Sequence, residues 1–312
     1  MAAAPDQDQD QERDNSAAPR SAAKQARQRS RTALTSVATA ACLIVAKLLT
    51  ALATGSLAIV GSLVDSCLDL AASGANYLAL RQAEVPPDAN HRWGHGKAES
   101  LSGLGQAALI VGSAAILAWQ SIERLLTPKA LASTGVGLAV MAGSMAVSLA
   151  LGLFLRRRSR RLASVALAAD ALHYLSDVLT NGAAIVALLA WRFLRWGWMD
   201  PLASGLIAAV LFKSAWDIIR QATDQLMDKE MAPRVRRDIV TTVVRTSPSI
   251  LGVRDLRTRR SGKTVIIAMR LQLSPGLSLD AASHIARQVE ANLQDVFEDC
   301  LVTIQPEPKS SE

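Results

Sequence analysis

Long apolar runs, broken by short clusters of charge, dominate the chain between Thr32 and Lys213. A helix needs roughly 20 mostly apolar residues to cross the hydrocarbon core of a bilayer. Six runs have that character, over 32–54, 56–80, 99–121, 131–155, 166–191 and 201–219. Length alone, at 312 residues, would also allow two soluble domains. Half of the residues are hydrophobic, however, and they are concentrated in these runs. The sequence therefore predicts a domain of six transmembrane helices over 32–220.

The net charge of +7 is not a nucleic-acid signal, because the cations cluster beside the spans, where they set orientation. Arg20, Lys24, Arg27, Arg29 and Arg31 precede the first span. Arg81, Arg92 and Lys97 lie between the second and third, and Arg156, Arg157, Arg158, Arg160 and Arg161 between the fourth and fifth. The alternate connections carry fewer: none over 54–56, then Arg124 with Lys129, then Arg192 with Arg195. The positive-inside rule puts both termini in the cytoplasm, in agreement with an even number of spans. Residues 1–31 are rich in Gln, Asp, Ala and Ser and read as a disordered tail whose basic end can touch anionic lipid. No apolar segment with a cleavage site precedes the first span, so the tail does not read as a signal peptide. Cys42, Cys67 and Cys300 show no paired spacing and support no disulfide framework.

Over 228–312 the composition becomes that of a small soluble domain. Val235, Ile239, Val243 and Val244 fall near helical spacing within 233–245. Val265, Ile267, Met269, Leu271 and Leu273 alternate strictly, as in a strand with one buried face, and Ser261-Gly262 before them suits a hairpin turn. Ile285, Val289, Leu293 and Val296 share a helix face, and Leu301–Ile304 reads as a short last strand. The order is αββαβ, an α+β, ferredoxin-like layer with nothing catalytic in it.

Ionisable residues inside the spans narrow the function. Asp65 and Asp69 lie in the second run, and His173 and Asp177 near the start of the fifth. Each pair is spaced i, i+4, so its two side chains share one helix face. A charge near a helix centre costs about 2.5–3.5 kcal/mol on insertion scales, so such residues mark function unless something neutralises them. Lys47 and Lys213 are the basic residues well within the spans, and one lysine cannot pair three carboxylates. Three carboxylate oxygens and one imidazole nitrogen suit tetrahedral zinc. The same donors would accept iron(II), cobalt or cadmium. Ser62, Ala72 and Ser73 beside the pair allow close helix approach.

These two pairs, with Gly55-Ser56-Leu57-Ala58 and the segment His91-Arg92-Trp93-Gly94-His95-Gly96-Lys97-Ala98-Glu99, resemble the cation diffusion facilitator family and its bacterial zinc/iron-efflux branch over roughly 32–308. The resemblance implies a homodimeric metal/proton antiporter of the bacterial inner membrane, with Asp65, Asp69, His173 and Asp177 as the transport site. It also assigns a second metal site to Asp88, His91 and His95, a loop cluster whose own chemistry suits a cation as well as it suits a solvated turn. Lys97 and Asp228 resemble the family's interlocking charge pair, although each also reads as an ordinary solvated charge. Asp170, one turn before His173, is placed either to help ions or protons enter or to be a plain helix-end charge. Cys67 points away from both aspartates and reads as packing, and Trp191, Trp196 and Trp198 as an interfacial belt. One departure stands out. Where the branch carries a histidine-rich binuclear zinc site, this chain has Arg254, Arg270 and Gln305. Only His284 and Glu307 remain as ligands, so that site is expected to be absent.

The expected activity is therefore export of a divalent metal, zinc first, by alternating access. The ion is cargo, and no cofactor is implied. Iron(II), cadmium, cobalt or manganese export is the alternative, manganese least because it favours all-oxygen sites. A membrane metallohydrolase would need an open metal position, which a closed four-ligand set lacks. A non-transporting partner protein with a vestigial site is the remaining alternative.

Overall fold

The computed structural model describes residues 17–54, 57–126, 135–194, 199–297 and 299–309. Six long helices come first: α1 (Ala17–Thr54), α2 (Leu57–Ala83), α3 (Lys97–Leu126), α4 (Gly135–Leu162), α5 (Val165–Leu194) and α6 (Met199–Leu226). Over the described residues, 28–53, 97–126 and 201–226 are long and apolar enough by themselves to cross a membrane. The ionisable pairs lie on α2 and α5, and α4 ends in arginines. Leu49, Leu52, Trp119 and Leu206 point large apolar surfaces outward. A lipid environment accepts such a surface; water does not.

Two expectations change. The tail was expected to be disordered to residue 31, but α1 begins at Ala17. Its added residues are mostly Ala, Arg, Lys, Gln and Ser, largely strong helix formers, and they extend an existing helix without a new nucleation step. Residues 1–16 lie outside the described set. Likewise Arg156–Arg161 do not form a connection but the last turns of α4. The link to α5 is then only Ala163, in the left-handed region at φ 46°, and Ser164. Ser164 Oγ accepts from the Leu167 amide at 3.2 Å and so caps α5.

The first two turns of α5, Val165-Ala-Leu-Ala-Ala-Asp-Ala, are buried almost completely. Its small residues admit neighbours closely. A Cβ on Gly103 of α3 would stand 2.9 Å from Val165 Cγ1, and one on Gly152 of α4 2.9 Å from Leu175 Cγ. Leu80, Leu151, Leu155, Leu162, Leu167 and Tyr174 pack together on one side of α5. Ala107, Val165, Ala169, Ile218 and Ala222 pack on another.

The small domain follows as α7 (Pro233–Thr246), β1 (Ile250–Ser261), β2 (Thr264–Leu273), α8 (Leu279–Val296) and β3 (Cys300–Pro308). This is the expected αββαβ order. β2 is central, antiparallel to β1 and parallel to β3. Gly262, at φ 58°, makes the tight turn between β1 and β2. Ile239, Val243, Ile267, Leu271, Val289 and Leu293 fill the core. Val244 and Val296, expected on the buried faces, are 44% and 54% exposed. Val244 follows Val243, and successive helical residues point about 100° apart, so only one of the two can face the sheet. The last strand is longer than the expected Leu301–Ile304, because its parallel register with β2 continues to Leu273↔Pro308.

Candidate metal centre

α2 and α5 bring Asp69, His173 and Asp177 together, each partly buried, with one ligand atom apiece within 4.8 Å of the others. His173 Nε2 and Asp69 Oδ1 are 2.9 Å apart. This set of two carboxylates and an imidazole can hold a divalent cation. Asp65 is not part of it. It sits one turn from Asp69 on the same face of α2 but is exposed, outside the converged group. Of the four residues expected to converge, three do so here. Helical spacing fixes the direction of a side chain around its own helix, not its distance to another helix.

Lys47, a basic residue well within the first span, donates to Ser66 Oγ at 2.7 Å and to the Ser62 carbonyl at 3.2 Å. Ser66 follows Asp65, so the ammonium lies along α2 at the level of the site. Gly55 and Ser56, before α2, lie outside the described residues, as do Lys129, Arg195, Trp196, Trp198 and Glu298.

Asp170 is fully buried, and its surroundings were not legible in the sequence. Ser36 Oγ of α1 donates to Oδ2 at 2.7 Å, and Ser73 Oγ of α2 to Oδ1 at 3.3 Å. Ser73 and the Tyr174 hydroxyl are 2.9 Å apart. A second buried polar contact also escaped the sequence. Arg29 Nη1 of α1 donates to Glu99 Oε2 of α3 at 2.6 Å, and Arg29 Nη2 donates to the Leu162 carbonyl. Arg29 had looked like one more member of a basic cluster, and Glu99 like the end of a loop motif.

The loop between α2 and α3 gathers the second candidate set. Asp88 Oδ1 lies 3.3 Å from His91 Nδ1, and Oδ2 lies 3.4 Å from His95 Nε2. The two imidazoles are 4.4 Å apart at their centroids. Asp88 Oδ1 also accepts from the His91 and Asn90 amides at 2.6 and 2.9 Å. Those amides, His91's foremost, hold the Asp88 carboxyl below the ordinary carboxylate range. It is therefore ionised and available to a cation at neutral pH.

In the small domain, Asp228, in the left-handed region at φ 55°, accepts from Arg259 Nη1 at 2.7 Å. Lys97 opens α3. Arg254, Arg270 and Gln305 line up across the three strands in register, Arg254↔Arg270 and Arg270↔Gln305. Arg270 reaches Asp255 at 3.3 Å and Glu307 at 3.9 Å. His284 is exposed on α8.

Two family models match. "Cation efflux transmembrane domain" covers residues 33–227, and "Cation efflux protein, cytoplasmic domain" covers 232–309. The cation-efflux pump FieF of Shewanella oneidensis is 40% identical over 273 residues, 88% of this chain and 92% of its own. That of Klebsiella pneumoniae is 40% identical over 284 residues, 90% of this chain and 93% of its own. Among solved structures, a variant of the MamM C-terminal domain is 24% identical, with a TM-score of 0.23, and covers 25% of this chain and 96% of its own. With two adjoining family models that together span nearly all of the six helices and the αββαβ layer, the chain belongs to the cation efflux family: it is a multi-pass membrane transporter and not an enzyme.

Proposed function

We propose that the protein is a proton-coupled antiporter that exports divalent metal ions from the cytoplasm, zinc first, across a bacterial inner membrane with both termini inside. The observation that carries this reading is the convergence of Asp69, His173 and Asp177 from two apolar helices. Asp65 joins them when an ion arrives, since it lies on the same face one turn away and two carboxylates with one imidazole leave a tetrahedral ion short of a ligand. Ligands must be deprotonated to bind, so loading releases protons, and protons at the outer face, chiefly at His173, compete the ion off. Iron(II) is the second reading, because a site of oxygens with one nitrogen does not by itself select zinc.

Asp88, His91 and His95 form an accessory site off the membrane path. Asp170, Lys97 and Asp228 serve as accessory polar groups, and the transporter works as a homodimer in lipid, without nucleic acid. The small domain holds no tight metal, because Arg270 draws Asp255 and Glu307 to itself and leaves His284 alone. The deciding experiment is metal uptake into proteoliposomes under an imposed pH gradient, with zinc, iron(II), cadmium, cobalt and manganese in competition. Zinc flux that follows the proton gradient supports the reading. Flux indifferent to that gradient shows a uniporter or channel.

A further inference from the structure

Among the described residues of α2 and α5, burial falls away along each helix towards Asp65 and Asp177. On α5, Val165 to Leu167, Ala169 and Asp170 have no exposed surface, and Tyr174 has almost none. Every residue from Asp177 to Ala183 is at least partly exposed. On α2, Ser73, Asn76 and Leu80 are buried, whereas Val64 and Asp65 are exposed. The more buried end is the one that holds the stretch of α1 around Arg29, the start of α3 and α5 and the end of α2 and α4.

Two polar layers tie α1 into that end. In the outer layer, Arg29 holds Glu99 of α3 and the Leu162 carbonyl of α4, and Ser30 Oγ donates to Glu84 Oε1 at 2.5 Å. In the inner layer, about two turns closer to the metal site, Ser36 and Ser73 meet on Asp170. The outer ion pair is poorly satisfied. Arg29 Nε and Glu99 Oε1 are buried without a hydrogen-bond partner. A buried pair with orphaned atoms adds little net stability, yet breaking it by removing one partner is strongly destabilising. Such a pair suits a contact that must close firmly and also part.

We propose that Arg29–Glu99, backed by Ser36–Asp170–Ser73, is the inner gate of the transporter: it clamps α1 against α3 and α4, closes the cytoplasmic route to the metal site in the state seen, and parts when the site opens inward. The proposal rests on the transporter reading of the metal site and on its orientation.

The test measures access rather than transport. Cys42, Cys67 and Cys300 are replaced by serine, and a reporter is placed by Ala40→Cys, a buried position on α1 between Ser36 and Lys47. A membrane-impermeant maleimide is applied to the cytoplasmic face of vesicles. Glu99→Gln should raise the labelling rate at least about tenfold, a shift of ~1.4 kcal/mol in the open population. The charge exchange Arg29→Glu with Glu99→Arg should bring it back toward the parent rate. If Glu99→Gln does not fold, Ser36→Ala with Ser73→Ala removes only the inner layer and should also raise labelling. Unchanged labelling in a folded variant, or an exchange variant as fast as Glu99→Gln, overturns the gate. Absence of metal flux in the parent protein would instead sink the transporter reading and leave the labelling result to stand on its own.

Discussion

Replacing Asp69 by asparagine should separate the two things this carboxylate does. The substitution keeps the shape and keeps an oxygen facing His173, 2.9 Å away, so the α2–α5 contact survives. It removes an anionic ligand from a group of three that already lies within 4.8 Å. Loss of a mere outer-shell partner typically costs 10–100-fold in metal affinity, so loss of a charged ligand should exceed about 100-fold, or ~2.8 kcal/mol. The metal-free protein should respond in the opposite sense. Asp69 and Asp177 repel each other in a partly buried site, and removing one charge relieves that repulsion. The apo variant should therefore melt no lower than the parent. The assay is zinc binding by calorimetry on the purified full chain in micelles, with a chelator to buffer free zinc, alongside a thermal melt without metal. A dissociation constant within threefold of the parent would falsify the site. A large drop in apo melting temperature would show that Asp69 is mainly a structural partner of His173.

Four further outcomes follow from the geometry. Asp177→Ala should abolish zinc flux in proteoliposomes while the protein still elutes as a folded particle; parent-like flux refutes its role. His95→Ala should lower apparent affinity or rate only modestly, because the membrane ligands remain; complete loss of flux would put the loop on the obligatory path. Arg270→Ala should weaken the small domain by only about 0–1 kcal/mol in denaturant melts, as exposed pairs do, and chelator should leave the melting of the parent's small domain unmoved; a chelator-induced drop would show a tight metal there. Burial, helped by Asp299, pushes the Cys300 thiol up from 9.0 to about 11. The folded domain thus holds a proton that the unfolded chain releases, so stability is complete below pH 9 and falls as pH rises toward 11, and Cys300→Ala should flatten that decline.

The candidate ligands stand out in the sequence because carboxylates in an apolar run of about 20 residues have few innocent explanations, and an i, i+4 spacing states which face they share. The αββαβ layer was legible from strict alternation over 265–273. What the sequence could not supply was anything that depends on two elements meeting. Arg29 and Glu99 are 70 residues apart, and each had a sufficient local explanation. Asp170 reads in the sequence equally as an entry group for ions or protons and as a helix-end charge, and only the fold brings Ser36 and Ser73 onto it. Asp65 carried the right face but not the distance. The helical start at Ala17 was missed because polar composition alone was taken for disorder, when the residues concerned are strong helix formers joined to a span.

The two-residue link at Ala163 and Ser164 makes a single lever of α4 and α5. Leu175 is seated against Gly152 and the link is short, so any tilt of α5 that re-aimed His173 and Asp177 would carry with it Arg156, Arg157, Arg158, Arg160 and Arg161 at the end of α4. Each cation near an anionic leaflet is held by ~1 kcal/mol, so five of them load the stroke with up to about 5 kcal/mol. On the proposed orientation, turnover would then depend on the bilayer as much as on the protein, and should differ between vesicles of neutral and of acidic lipid.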